Sequence, residues 1–231
     1  MNIAIIAAAG QGTRMGGTQA KQFRELAGAP IIVHTLRRFE ECATIGEIIV
    51  MVPSSESAAF LALTAKHHLS KVRRVVPGGA TRTESIWRGL QAVRSTTAEI
   101  IAVHDAVRPF VTPDEIDQTV RAAEASGAAI LAQPATDTIK EVQDGHVTRT
   151  FDRSSLWHAQ TPQCFRYDLL RRAYEHALTR NTPATDDSTL VEQLGVTITI
   201  VEGSARNIKI TRPEDWMLAE ILTKQISDVR C

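Results

Sequence analysis

Six short apolar runs rich in β-branched residues, at 3–7, 47–52, 72–76, 100–104, 128–132 and 196–201, recur along the chain with helix-like segments between most of them. Runs of that length suit strands buried on both faces, and their alternation with helices predicts an α/β chain with a mostly parallel sheet covered by helices on both faces. Helix starts are marked by Thr81-Arg82-Thr83-Glu84, Thr112-Pro113-Asp114-Glu115 and Thr211-Arg212-Pro213-Glu214. In a Thr-x-x-Glu box the two side chains satisfy backbone donors that the first helical turn leaves unpaired. A further helix is predicted after Thr185-Asp186-Asp187, ending at Gly195, where a left-handed turn suits glycine. The alternation breaks once. Two strands are predicted around Asp144-Gly145 within 137–151, too long for a plain connection and too small for a domain, which reads as an arm that finds its partner on a second subunit.

At 231 residues one core suffices, so a single domain is expected over 1–231, with 137–160 as a dimerisation arm. Lys plus Arg and Asp plus Glu number 26 each, leaving no basic field to grip a nucleic-acid backbone. Cys42, Cys164 and Cys231 are far apart and lack metal-type spacing, which suits reduced thiols. The opening Met-Asn-Ile-Ala-Ile-Ile is short and poor in leading charge for a secretory signal, and no apolar run reaches membrane-spanning length. A cytoplasmic protein with neither nucleic acid nor membrane as partner is the expectation.

The first run leads straight into Ala8-Ala9-Gly10-Gln11-Gly12-Thr13-Arg14-Met15-Gly16-Gly17. Small residues let backbone N–H groups come close to a phosphate chain. Met15 stands where a dinucleotide fingerprint needs its third glycine, and no Gly-Lys-Ser/Thr closes a Walker loop. Instead Arg14 and then Lys21 place two cations beside the loop. Phosphoryl-type transfer needs chiefly alignment and neutralisation of charge, which such cations supply. A glycine turn with two solvated cations is the structural alternative.

Ligands of open α/β sheets sit beyond the carboxyl ends of the strands. The run at 100–104 delivers His104-Asp105-Ala106-Val107-Arg108-Pro109 to that edge. Asp105 is the natural Mg²⁺ ligand, since magnesium takes one or two carboxylates and completes six positions with water and substrate phosphates. Arg108 offers a planar fork to an acceptor phosphate, while a surface Asp–Arg pair is the competing account. His104 reads as structural. Pro77-Gly78-Gly79-Ala80-Thr81-Arg82-Thr83-Glu84-Ser85 opens a helix after another strand, either to read a base or ribose or simply as a glycine turn with a cap. Lys209 in Asn207-Ile208-Lys209-Ile210-Thr211 adds a cation, or a surface lysine. His67-His68 and the three tryptophans read as solvated or packing residues.

Taken together, Ala8-Ala9-Gly10-x-Gly12-x-Arg14-Met15, Lys21-Gln22-Phe23, Gly78-Gly79-x-x-Arg82-x-x-Ser85, His104-Asp105-Ala106-Val107-Arg108-Pro109-Phe110, Asp137-Thr138-Ile139-Lys140 and Asn207-Ile208-Lys209-Ile210-Thr211 resemble, in order and almost end to end, the IspD family. These are cytidylyltransferases of the non-mevalonate isoprenoid pathway acting on 2-C-methyl-D-erythritol 4-phosphate. The related ribitol-5-phosphate cytidylyltransferases share most segments; Asp152-Arg153-Ser154-Ser155-Leu156-Trp157 and Thr185-Asp186-Asp187 look more like the methylerythritol enzymes. A nucleotide-dependent oxidoreductase or nucleotide-sensing module is the remaining alternative, disfavoured by the missing third glycine.

The resemblance implies a Rossmann-like nucleotidyltransferase fold and a homodimer joined through hairpin arms, with CTP, a small polyol phosphate and Mg²⁺ or another divalent cation as partners. It implies that Arg14, Lys21 and Lys209 act in catalysis. Ala8, Ala9, Gly10, Gly12, Thr13, Gly79, Ser85 and Ala106 would meet the nucleotide. Asp105, Arg108, Thr138, Arg153, Thr161, Thr185 and Lys209 would surround the acceptor, with Asp105 also holding the metal and Arg153 reaching the neighbouring subunit. Two positions depart from the family pattern: Ala20 replaces the usual Pro, and Ala80 an acidic residue common after the glycine pair.

Overall fold

The computed structural model describes residues 1–10, 20–94, 98–180 and 184–229. In chain order the elements are β1 (Asn2–Ala7), β2 (Glu25–Leu26), β3 (Ala29–Pro30), α1 (Ile31–Glu41), β4 (Ile45–Val52), α2 (Ser57–Lys66), β5 (Val72–Pro77), α3 (Arg82–Ala92), β6 (Ile100–Asp105), α4 (Pro113–Ser126) and β7 (Ala128–Pro134). They continue with β8 (Lys140–Gln143), β9 (His146–Thr150), β10 (Trp157–Arg166), α5 (Tyr167–Arg180), α6 (Asp187–Glu192), β11 (Thr199–Glu202) and α7 (Pro213–Val229).

Seven strands form one sheet in the order β11-β7-β10-β6-β1-β4-β5. Six share a direction; β10 runs antiparallel between β6 and β7. The alternating faces of β1 show why its apolar run is unbroken. Ala4 and Ile6 pack with Leu36, Phe39, Val50 and Val120 on one side, and Ile3 and Ile5 with Met51, Ile86, Leu90 and Leu170 on the other. Burying an Ile or Leu side chain stabilises by about 1.5–3 kcal/mol, so β1 contributes to stability through both of its faces.

All six apolar runs appear as strands of this sheet, and β10 is its unpredicted seventh. It carries polar residues and Pro162 in its middle, and its register shifts between Ala159 and Gln163, around a cis Thr161–Pro162 peptide. Its first residues, Trp157 to Ala159, pair with β7, so the last four positions of the expected 137–160 arm lie in the strand that leads into the central sheet.

The helix starts follow the sequence with one exchange. Thr112 and Glu115 form the reciprocal box at α4, which ends at Gly127 with φ of 91°. At α3 Thr81 accepts from the Glu84 N–H, while the Glu84 carboxylate takes the Ala80 N–H. At α7 Asp215, not Glu214, receives the Thr211 and Arg212 N–H groups, because the helix begins at Pro213 and the shorter side chain one residue on reaches back to them. Asp186 caps α6 by accepting from the Thr189 N–H.

The hairpin of β8 and β9 forms its own two-stranded sheet, turning at Asp144 (φ 51°) and Gly145 (φ 79°), as the pair's left-handed preference dictates. All of its strand residues are exposed, and Val142 and Val147 face each other across it, 57% and 60% exposed.

Candidate active site

Parallel strands end at one edge, and β1, β5 and β6 deliver there residues 8–10, Gly78-Gly79 and Asp105. A cleft of about 520 Å³ opens between them, lined by Ala8, Ala9, Gly10, Lys21, Gly79 and Arg82 among others. Its walls meet at close range. A side chain on Gly78 would place its Cβ 2.1 Å from that of Ala9, so only glycine lets the two loops touch. Gln22 ties the Lys21 turn to the opening loop by donating through Nε2 to the carbonyls of Ala8 (2.6 Å) and Gly10 (3.0 Å). Lys21 therefore owes its position to its neighbour.

Asp105 sits at the crossing point. Its Oδ2 lies 2.7 Å from Lys209 Nζ and its Oδ1 3.2 Å from Arg82 Nε, while the carboxylate is 7% exposed. Burial opposes its ionisation, but Arg82 and then Lys209 outweigh burial and hold the carboxyl well below the usual carboxylate range. Lys209 is brought there by backbone stitching: Ile210 N–H donates to the Val107 carbonyl (2.9 Å), and Arg108 Nη1 to that of Asn207 (2.7 Å).

The loop behind Asp105 is held from three more directions. Thr35 of α1 donates to the Ala106 carbonyl (2.8 Å), Ala106 N–H donates to Ala7, and Thr161 Oγ1 accepts from Asp105 N–H (3.2 Å). The Thr161 hydroxyl then has its proton for His104 Nδ1 (3.0 Å), which leaves Nε2–H to donate to the Arg108 carbonyl (3.2 Å). Burial pushes the His104 imidazole down to about 3, so it stays neutral and serves as a strut.

A second cleft of about 250 Å³ shares Arg82, Asp105 and Lys209 with the first and adds Arg108, Thr161 and Thr185. Burial lowers the Arg108 guanidinium below its ordinary value, and its buried Nε has no hydrogen-bond partner among the described residues. Two joined clefts with a shared charged wall can hold two phosphorylated ligands with their phosphates meeting at that wall.

Of the predicted site residues, Ala8, Ala9, Gly10, Lys21, Gly79, Ser85, Asp105 and Lys209 line the first cleft, and Asp105, Arg108, Thr161, Thr185 and Lys209 the second. Gly12, Thr13 and Arg14 lie outside the described residues. The Ser85 hydroxyl is engaged within its loop, accepting from Gly79 N–H and donating to the Thr81 carbonyl. Ala106 is fully buried behind the wall with both backbone groups engaged. Thr138 and Arg153 line neither cleft; Arg153 donates to the Thr136 carbonyl at the base of the arm (2.6 Å).

Sequence reasoning assigned no role to Arg82, which the structure makes the bridge between Asp105 and Asp187 (Nη2–Oδ2 2.7 Å). A signal was present. A cation at the first helical position faces the positive end of the helix dipole, a local conflict that asks for a reason.

The donor set fits a magnesium ion of the substrate-completed kind. Asp105 presents one ionised carboxylate at the junction of the clefts, and no group of three or more His, Cys, Asp or Glu suited to a metal occurs among the described residues. Such an ion takes its remaining ligands from phosphates and water.

The family model described as 2-C-methyl-D-erythritol 4-phosphate cytidylyltransferase matches residues 2–225. Enzymes of that name from Bacillus velezensis and Symbiobacterium thermophilum are 45% and 46% identical, the alignments covering 96% of this chain and 95% and 92% of theirs. The 4-diphosphocytidyl-2C-methyl-D-erythritol synthase structure from Anaerococcus prevotii superposes with a TM-score of 0.85 at 29% identity, covering 96% of both chains. The 2-C-methyl-D-erythritol 4-phosphate cytidylyltransferase of Thermus thermophilus superposes with 0.79 at 31%, covering 95% of this chain and 98% of that one.

Proposed function

Since the chain belongs to the 2-C-methyl-D-erythritol 4-phosphate cytidylyltransferase family, we propose that its joined clefts hold the two substrates of that reaction, CTP in the larger and the polyol phosphate in the smaller. The protein is a nucleotidyltransferase: it transfers a cytidylyl group from CTP to 2-C-methyl-D-erythritol 4-phosphate, giving 4-diphosphocytidyl-2-C-methyl-D-erythritol and pyrophosphate in isoprenoid precursor biosynthesis. An oxygen of the acceptor phosphate attacks the α-phosphorus in line. The bond to the α,β-bridging oxygen breaks, and its electron pair leaves with pyrophosphate.

The acceptor is already an anion, so no general base is called for, which agrees with a neutral, buried His104. What the step needs is positive charge where negative charge gathers. Lys21 reaches the nucleotide from the first cleft and Lys209 stands at the junction; Arg14 belongs to the same role. Ala9 and Gly10 bring backbone donors to the triphosphate, a role that Gly12 and Thr13 share by family likeness; Ala8, whose N–H is held by the Met51 carbonyl, lines the cleft floor, Gly79 and Ser85 shape the cytidine side, and Ala106 supports the wall from behind. Arg108, Thr161 and Thr185 orient the acceptor, Arg108 being fixed for it by the bond from its Nη1 to the Asn207 carbonyl. Asp105 would hold Mg²⁺, or another divalent cation, beside the nucleotide phosphates. That ion, when bound, supplies charge neutralisation to the triphosphate.

Thr138 and Arg153 belong to the acceptor site of a second copy, the two copies forming a homodimer through the arm. A lone exposed two-stranded hairpin is marginal in water, and the apolar face of Val142 and Val147 lacks a cover among the described residues. No helix of the described residues is long and apolar enough to cross a membrane. Residues 1–231 form one domain, and we place the protein in the cytoplasm.

The carrying observation is the Arg82–Asp105–Lys209 wall common to both clefts. Pyrophosphate release, measured with CTP and magnesium against each of 2-C-methyl-D-erythritol 4-phosphate and ribitol 5-phosphate, tests the reading. Faster turnover with ribitol 5-phosphate overturns the acceptor, and no release with either overturns the chemistry.

A further inference from the structure

One buried cluster beside the clefts has no part in the transfer as described. Asp187, at the start of α6, is fully buried and holds Arg82 Nη2 at 2.7 Å through Oδ2. Its other oxygen accepts from the Tyr174 hydroxyl of α5, and the Tyr174 ring stacks on Trp87 of α3 with centroids 6.2 Å apart and planes 10° from parallel. Three helices thus converge to fix one edge of a guanidinium whose Nε faces Asp105. The same guanidinium lines both clefts.

An arginine in that place is double-edged. Guanidinium–phosphate pairs are strong and often bidentate, so an untethered Arg82 would turn onto the nearest triphosphate oxygens. It would then strengthen ground-state binding and add nothing at the transition state. A second carboxylate behind it prevents this, because a planar fork can serve Asp105 with one edge and Asp187 with another, which a lysine ammonium cannot do. Burial leaves Asp187 no water to turn to instead.

We propose that Asp187, fixed by Tyr174, is a positioning residue for the transfer: it keeps Arg82 on Asp105 and off the nucleotide phosphates, and so keeps the shared wall of the two clefts in its productive form. The inference rests on reading those clefts as donor and acceptor sites.

Steady-state kinetics of Asp187→Asn, Arg82→Lys and Tyr174→Phe, with thermal melts of each, test it. In Asp187→Asn kcat falls about 10–100-fold, the range for losing a partner that orients a site ligand, while KM for CTP stays level or drops. Arg82→Lys keeps the charge but not the bridge, so kcat falls comparably. Tyr174→Phe loses only the hydroxyl and gives a severalfold fall. Wild-type kcat in Arg82→Lys overturns the proposal, as does a severalfold rise in KM for CTP in Asp187→Asn. Lowered melting temperatures with both kinetic constants at wild-type values assign the cluster to stability alone and overturn it too. If Asp187→Asn does not fold, Arg82→Lys and Tyr174→Phe decide. A wild-type protein that releases no pyrophosphate sinks the cytidylyltransferase reading itself, whereas an active wild type with unaffected variants sinks only this proposal.

Discussion

The wall around Asp105 and the β8–β9 arm are both rich in charged and polar side chains, yet they are built on opposite terms. At the wall each group answers to several others: Asp105 meets Arg82, Lys209 and Thr161, and the loop behind it is pinned from α1, β1 and the Asn207–Ile210 segment. On the arm the contacts are local and cross-strand, such as Lys140 Nζ to Thr150 Oγ1 at 2.7 Å and Thr148 to the Glu141 carbonyl. Preorganised charge has to be over-determined, because every degree of freedom left in it must be frozen when the reaction occurs. A surface that completes itself on another molecule has no such need.

The contrast can be broken most directly at its centre. Asp105→Asn should lower kcat about 10²–10³-fold, the scale of losing a preorganised charge, and should weaken magnesium activation in the same titration. A loss below tenfold would make the wall dispensable. Lys21→Ala should depress kcat by about 10²-fold with a smaller change in CTP affinity; equal losses would move Lys21 into ground-state binding. Mixed with Arg153→Ala protein, it should regain activity if arms complete each other's sites, and no gain in demonstrated heterodimers would refute that. Val142→Asp with Val147→Asp should weaken self-association by about 10–100-fold in sedimentation while leaving the core melting transition in place. A lost core transition would show that the arm and the wall are not separable.

A gentler effect comes from pH. The unfolded His104 binds a proton near its ordinary 6.5, whereas the folded imidazole resists until about 3. Stability is therefore full above pH 6.5 and erodes as pH falls toward 3, by up to about 1.4 kcal/mol per pH unit from this residue. Denaturant melts of the metal-free protein across that window should show the slope, and His104→Gln should flatten it. Smallest of all, Gly145→Ala strains a φ of 79° and should loosen the arm by about 1 kcal/mol, visible in amide exchange of residues 140–150 and not in core amides.

The parts of the fold that sequence made legible are those where one physical effect dominates. Strands buried on both faces, such as β1 and β4, announce themselves as unbroken apolar runs. The Asp144-Gly145 turn and the Thr112 box follow from local chemistry alone. Strand β10 escaped because Gln160, Thr161 and Gln163 are buried for hydrogen bonds that distant segments supply: Asn207 and Ser204 for Gln160, Asp105 for Thr161, Asp186 and Ser188 for Gln163. Their polarity reads as loop until those partners are known. At the site, glycines and cations near strand ends could be assembled from spacing and family likeness. Arg82 stood in the family motif and at an unfavourable helix position, but its role was not legible because the partner that gives it one, Asp187, lies more than a hundred positions away.

Strand β10 has one more implication. It leaves the arm at Trp157, passes Thr161 beside Asp105, and runs into the helix that carries Tyr174. Length changes at the Asp144-Gly145 turn leave the register of the central sheet untouched. A single inserted residue between Trp157 and Thr161 would turn alternate side chains inside out and tow the acceptor wall with them. Evolution and protein engineers alike can alter the length of the turn without disturbing the sheet, and are confined to substitution, without insertion or deletion, for the few residues from Trp157 to Thr161.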